Sequence, residues 1–501
     1  MNNQNNLKVS QLFKLPNLDF KTQMNIAIDQ NVHIKNIINV QSYIYDCELS
    51  AISGKCNVKG KLGVKIIYLD IDNVYNTITD ETSFLESISD QAITQDCKIY
   101  MNNETVSSSV DFDSQYLKLT FNVNAKLYSN INISLNLPET NINNLVVKKS
   151  IIKLSSCIDD FNNNVSENYN ITLPQRASKI LSVNLSPFVD NIACSDGYLT
   201  ISGKTISQLI YEVNTDEQTE LKFFTSTKPF KLETQVANCE SNCVADLTCN
   251  IRQHSIKFTT ELNEQLTELN LDFEYQIIGC IFKTVEFEAV EDLFCTENEL
   301  DINFSPRQFA DISSMFNFNT TVEGEIQLSD DNVDEIIDSV NHSCQITQTY
   351  INENKMVIEG VISSRVIYFN EEHEVKSMQV EMPFSLSKDN ETALSSEIIN
   401  YDLKPISCKC KIKRGNTLAL DYEVAINYYV LTKFETNLLD KINLGNSYDY
   451  GDIAFQIIVA KPNETIWDFC KRAHITQEKL METNKETPPI FQGGEKIVIF
   501  R

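Results

Sequence analysis

Residue types able to do chemistry are scarce in this chain of 501 residues, and their spacing is uninformative where an active site would need it. The five histidines, His33, His254, His342, His373 and His474, form no HExxH pair, and no G-x-S-x-G elbow offers a serine nucleophile. Fourteen cysteines cluster tightly only as Cys239-x3-Cys243-x5-Cys249 and Cys408-x-Cys410. Neither has the paired CxxC spacing or nearby histidine of structural zinc, so the thiols read as reduced and mostly buried, and no metal or other cofactor is expected. Ser202-Gly203-Lys204-Thr205 ends like a phosphate-binding loop. Its preceding glycine, Gly197, leaves five intervening residues instead of four, and the stretch alternates like a strand rather than opening a helix. A carboxylate pair assembled in space is conceivable among 69 acids, but repeat units with polar tips are a poor host for it, and no enzyme is expected.

Charge narrows the partners. With 42 Lys and Arg against 69 Asp and Glu the net charge is -27, which repels nucleic acid and anionic lipid. From Asp452 onward seven basic residues balance seven acids, so the surplus of negative charge belongs to the rest of the chain. The first residues, Met1 to Lys8, hold no apolar signal region, and no run of about 18 apolar residues occurs. A protein that stays in the cytosol, without direct membrane insertion, is expected.

The elements that position these residues repeat. Ile37, Val40, Gly60, Ile67 and Tyr68 stand at offsets -23, -20, 0, +7 and +8 from the glycine. Ile180, Val183, Gly203, Ile210 and Tyr211 hold the same offsets, as do Ile337, Val340, Gly360, Ile367 and Tyr368. Around each glycine apolar residues recur every second position, as in Val58, Gly60, Leu62, Val64, Ile66 and Tyr68, which is a half-buried strand. A glycine on such a face marks a bulge or close backbone approach, and the tyrosines read as strand-end packing. Polar turns follow at Asp70 to Asn73, Asn214 to Glu217 and Asn370 to Glu374. A Cys-[Lys/Asn]-Ile tripeptide at Cys97, Cys249 and Cys410 is expected to open a further strand in each copy. Alternating runs such as Leu418 to Tyr428, with hardly any helical period, predict a mostly β chain of three antiparallel sandwich-like or barrel-like domains, at 19–134, 135–303 and 304–447, behind a flexible 1–18.

The last fifty residues change character. Phe455 to Val459 reads as a strand, Lys461 to Thr465 as a capping turn, and Ile466, Phe469, Cys470 and Ala473 as the apolar stripe of a helix. Thr476 suits the N-cap of a second helix carrying Leu480 and Met481, and Lys496 to Phe500 is a final strand. The predicted order over 452–501 is βααβ.

This tail resembles the LysM family. Thr465-Ile466-Trp467-Asp468-Phe469-Cys470 follows its T-L-W-x-I-A, Ile475-Thr476-x3-Leu480-x3-Asn484 its V-T-x3-L-x3-N, and Gly494-Glu495-Lys496-Ile497 its G-x-x-L. The resemblance implies a core of Ile466, Trp467, Phe469, Leu480 and Asn484. It also implies a shallow groove between two loops, Lys461, Pro462, Asn463, Glu464 and Thr465 on one side and Pro489, Ile490, Phe491 and Gln492 on the other. The family's G-D-T is here Asn463-Glu464-Thr465, and Phe491 stands where isoleucine is usual, so the groove is open to a glycan or a protein. Three repeats bearing G-x6-I-Y followed by one such module resemble the clostridial SPOCS-domain (DUF3794) spore coat proteins, among them the morphogenetic factor that partners stage IV sporulation protein A. That likeness implies a non-enzymatic scaffold in the mother-cell cytoplasm at the forespore surface, binding that basement-layer ATPase and other coat proteins. The alternative it leaves is a peptidoglycan- or N-acetylglucosamine-binding wall adaptor.

Overall fold

The computed structural model describes residues 6–29, 32–112, 116–136, 142–215, 219–252, 255–260, 266–328, 333–389, 398–413, 416–451 and 454–500. His254, Glu217, and the ends of the C-terminal span at Asp452 and Arg501 lie outside them. The chain is mostly β, as its period-two patterning requires, and among the described residues every strand pair is antiparallel.

Copy one contains β1 (Asn6–Lys14), β2 (Leu18–Ala27), β3 (Ile34–Ile52), β4 (Lys55–Asp70), β5 (Tyr75–Ser89), β6 (Lys98–Phe112) and β7 (Tyr116–Asn136). Copy two contains β8 (Leu145–Ala177), β9 (Lys179–Ser195), β10 (Tyr198–Asn214), β11 (Thr219–Gln235), β12 (Val244–Ile251), β13 (Lys257–Thr260) and β14 (Leu266–Cys295). Copy three contains β15 (Asn298–Gln327), β16 (Val333–Asn352), β17 (Lys355–Asn370), β18 (Val375–Asp389), β19 (Ile398–Lys413) and β20 (Thr417–Ser447). In each, a three-stranded sheet with the glycine strand at its centre (β3-β4-β5, β9-β10-β11, β16-β17-β18) faces a second sheet built on the copy's last strand, β7, β14 or β20. The two inner faces close one apolar core per copy.

The signature positions acquire distinct jobs. Tyr68, Tyr211 and Tyr368 are buried. Opposite each glycine the neighbouring strand slips register, and a Cβ on Gly203 would stand 1.9 Å from the Phe188 carbonyl oxygen, so only glycine lets the bulge close. Ile67, Ile210 and Ile367, one residue before each tyrosine, turn outward from their own cores. They share a buried cluster with Ile38, Leu181 and Val340, so the three copies pack through equivalent faces. Asp70 Oδ1 accepts from the Asp72 and Val74 amides, and Asn370 Oδ1 from those of Glu372 and Glu374, which fixes the polar tips as Asx-type hairpin turns.

Two expectations need correction. Residues 6–14 of the segment taken as flexible form β1, paired with Tyr128 to Asn136 of β7, and Val9 and Leu12 are buried. β1 and β2 together occupy the place of the single long strands β8 and β15. Pro16, which has no amide hydrogen, falls between them. The tripeptide cysteines are not equivalent either: Cys97 precedes β6, whereas Cys249 and Cys410 sit near the ends of β12 and β19. Local similarity of three residues carries no register by itself.

The long strands run past their cores as two-stranded ribbons, β1–β7, β8–β14 and β15–β20. The ribbons pack on one another through Val9, Leu154, Phe287, Phe309 and Leu438. Across this contact Gln11 exchanges two hydrogen bonds with the Ala310 backbone, at 3.0 and 3.1 Å. The far end of the β8–β14 ribbon carries the C-terminal unit.

Candidate docking site in the C-terminal module

This unit is β21 (Phe455–Val459), α1 (Ile466–Ala473), α2 (Gln477–Thr483) and β22 (Lys496–Phe500), with β21 and β22 paired antiparallel. Thr465 caps α1, its hydroxyl accepting from the Asp468 amide at 3.1 Å, and Thr476 caps α2 in the same way through Lys479. Ile466, Phe469, Cys470 and Ala473 are the buried face of α1, joined by Leu480, Phe491, Ile497 and Ile499. Met481, the next residue of α2, is exposed. Asn484 ties the end of α2 to β22: its side-chain amide donates to the carbonyls of Leu480 and Val498 and its oxygen accepts from the Val498 amide.

The two loops expected to form a groove do lie side by side, but they are zipped together. Asn463 N donates to Phe491 O, Phe491 N to Glu464 O and Ile466 N to Pro489 O. Phe491, placed by sequence in the groove, is fully buried against Phe469 at 5.2 Å between ring centroids. Glu464 is also buried, held by Arg472 through contacts of 2.7 and 2.8 Å and accepting from the Lys461 amide. These bonds, those from Arg472 first, hold its carboxyl below the usual range against the opposing pull of burial, and the paired charge is not offered to a ligand. Asn463 takes the left-handed conformation, φ 60°, that a glycine would adopt freely. Lys461, Pro462, Asn463, Pro489, Ile490 and Gln492 remain exposed, with Thr465 partly so.

Trp467, expected in the module's core, is partly buried against that core and at the same time faces the body. Its indole Nε1 donates to Asp292 Oδ2 at 2.8 Å and its ring meets Phe294 edge-on at 5.2 Å. Lys471 takes the other oxygen of Asp292 at 2.5 Å. On the opposite flank Tyr448 stacks on His474 at 3.8 Å, and Tyr450 Oη lies 2.8 Å from His474 Nδ1. Burial alone would push the Asp292 carboxyl up, yet the Lys471 and Trp467 bonds bring it below its ordinary value. The module is thus clamped to the ribbon by a buried-edge carboxylate and two aromatic contacts.

The outward face of β21–β22 was not foreseen. Phe455, Ile457 and Val459 are each about half exposed on one side of β21, at 56%, 56% and 51%, and Phe500 beside Phe455 is 53% exposed. Alternation along Phe455-Gln456-Ile457-Ile458-Val459 was visible in the sequence. Because Gln456 and Ile458 take the inner side, the more apolar set is the one left in water.

The model of the family described as SipL, SPOCS domain, matches residues 176–259 and 332–414. Those spans run from the glycine sheet of copies two and three into the first strands of the facing sheet, so the match falls on the repeat that the register of Gly203 and Gly360 defines. By this match copies two and three are SPOCS domains. The SipL family is a non-catalytic family of coat morphogenetic proteins. No curated protein and no solved structure matches the chain. The first copy shares the sheet order and signature of the two matched copies, and the nearest neighbours of Gly60, Gly203 and Gly360 are backbone and packed side chains. No described helix is long and apolar enough to cross a membrane.

Proposed function

We propose that this chain is a non-enzymatic scaffold of spore coat morphogenesis, acting in the mother-cell cytoplasm at the forespore surface. Its C-terminal LysM-like module docks on the basement-layer coat ATPase, stage IV sporulation protein A, and its three acidic β-domains recruit other coat proteins. The observation that carries the docking role is the apolar strand face of Phe455, Ile457, Val459 and Phe500. Four large apolar side chains on one small sheet are costly to keep in water and are the composition of a protein-binding hot spot. A glycan site would call for free polar donors and acceptors between the loops, and there the backbone groups and Glu464 are already engaged with one another. The match of copies two and three to the SPOCS domain supports the coat role and the partner.

The test uses the full chain, wild type and Ile457→Asp, against the purified ATPase and against peptidoglycan. Replacing one anchor at the centre of such a patch should weaken the protein complex by roughly thirtyfold or more, since hot-spot residues are worth about 2 kcal/mol or above. Unaltered ATPase binding by Ile457→Asp would overturn the strand face as the docking surface, and no complex with the wild type alongside tight retention on peptidoglycan would overturn the assignment in favour of a wall adaptor.

A further inference from the structure

Two thiols and a carboxylate meet where the ribbons of copies one and two converge. Cys157 and Asp160 lie on β8 and Cys280 on β14, with one ligand atom from each within 4.8 Å of the others. Cys157 and Asp160 are three residues apart, so an unbroken strand would send them to opposite faces. The register slips here: Ile281 is opposite Asp159 while Phe282 is opposite Cys157, which leaves Ile158 as the extra residue. That bulge brings Cys157 to the face of Asp160, and Asp160 is itself directly across from Cys280.

Both sulfur–oxygen spacings fit a tetrahedral ion. Asp160 Oδ1 stands 3.6 Å from Cys157 Sγ and 3.5 Å from Cys280 Sγ. Bonds of about 2.3 Å to sulfur and about 2.0 Å to oxygen at a tetrahedral angle give a sulfur–oxygen edge of about 3.5 Å. Outer partners are in place as well. Lys98 lies 3.1 Å from Asp160 Oδ2, Asn130 Nδ2 donates to Asp160 Oδ1 at 2.6 Å, and Tyr100 Oη is 2.9 Å from Cys280 Sγ, where a phenol can donate to a thiolate. Two thiolates, one carboxylate and a divalent cation leave a single negative charge, which the Lys98 ammonium, itself 75% exposed, balances from the solvent side. Among the described residues this is the sole such grouping of three His, Cys, Asp or Glu donors.

We infer that Cys157, Asp160 and Cys280 form a zinc-binding site, with solvent in the fourth position. Lys98, Tyr100 and Asn130 belong to copy one and the three ligands to copy two, so the ion fastens one copy to the next. Full-length protein purified under reducing conditions without chelator should carry one zinc per chain by elemental analysis. X-ray absorption should show two sulfur neighbours, and cobalt substitution should give thiolate charge-transfer absorption with tetrahedral d–d bands. Chelation should lower the melting temperature and zinc restore it. Cys280→Ser should lose the bound equivalent, Tyr100→Phe should weaken zinc about tenfold, and Cys408→Ser with Cys410→Ser should keep it. Zinc-free wild-type protein that takes up none on titration, a four-sulfur shell, a Cys157–Cys280 disulfide in the reduced preparation, or full retention by Cys280→Ser would overturn the site.

Discussion

Trp467 is the chain's single tryptophan, so its fluorescence reports directly on the seam between the C-terminal module and the ribbon. Replacing Asp292 by alanine removes the acceptor for both the indole and Lys471 while leaving the Phe294 ring in place. The indole bond to a carboxylate is worth about 1.5–3 kcal/mol, and the Lys471 pair, 44% exposed on the lysine side, adds at most about 1 kcal/mol after solvent screening. The edge-on Phe294 contact and the Tyr448–His474 stack remain, each keeping about 0.5–1.5 kcal/mol. A net loss of about 2–3 kcal/mol shifts the docked-to-undocked ratio by roughly 30- to 150-fold. Emission of Asp292→Ala should therefore move to the red and become more accessible to a soluble quencher. Proteolysis in the 448–454 connection should accelerate, while the module's own core of Phe469, Leu480 and Phe491 stays folded. The same seam should loosen in the wild type only under acid. The folded-state pKa of Asp292 is below its unfolded value near 3.9, so its stabilisation is complete above that value and is lost as pH falls through the lower, folded one. An unshifted emission spectrum in Asp292→Ala would refute this reading of the seam, and unfolding of the whole module would return Trp467 to the core role its sequence implied.

His342 is half-buried beside the central junction with its ring 3.1 Å from Ser339 Oγ, and desolvation pushes its pKa down to about 4. Because the unfolded chain takes up that proton first, stability should fall by ~3 kcal/mol as pH drops from about 6.5 to about 4, and His342→Gln should flatten that part of a denaturation-versus-pH profile. Gly203→Ala should destabilise more than Gly60→Ala. The added methyl meets the Phe188 carbonyl oxygen at 1.9 Å in the first case, but only the Phe84 ring and Cys47 thiol, at 2.8 and 2.9 Å, in the second. Calorimetric melting should place Gly60→Ala near the ordinary overpacking cost of about 1–3 kcal/mol and Gly203→Ala above it, and the reverse order would contradict the bulge assignment.

Period-two alternation around Gly60, Gly203 and Gly360, and the offsets shared by Ile67, Ile210 and Ile367, determined by themselves that this chain is a β repeat. Backbone pleat and burial of one face are local requirements that every strand writes into its own residues. The caps Thr465 and Thr476 and the buried stripe of α1 were legible for the same reason. What lay beyond the sequence was which neighbour each surface meets. Trp467 reads as a core anchor in a module considered alone and is a clasp once Asp292, 175 residues away, is beside it. Glu464 and Phe491 read as groove residues until Arg472 and Phe469 take them inward. Residues 6–14 look unstructured because the partner strand that orders them begins more than a hundred residues later. Cys157, Asp160 and Cys280 share no motif spacing, and only a one-residue bulge, a property of the pairing between two strands, turns them toward one point. Tertiary structure decided these sites because hydrogen bonds, ion pairs and ligand geometry depend on distances between segments that the chain's own order leaves unspecified.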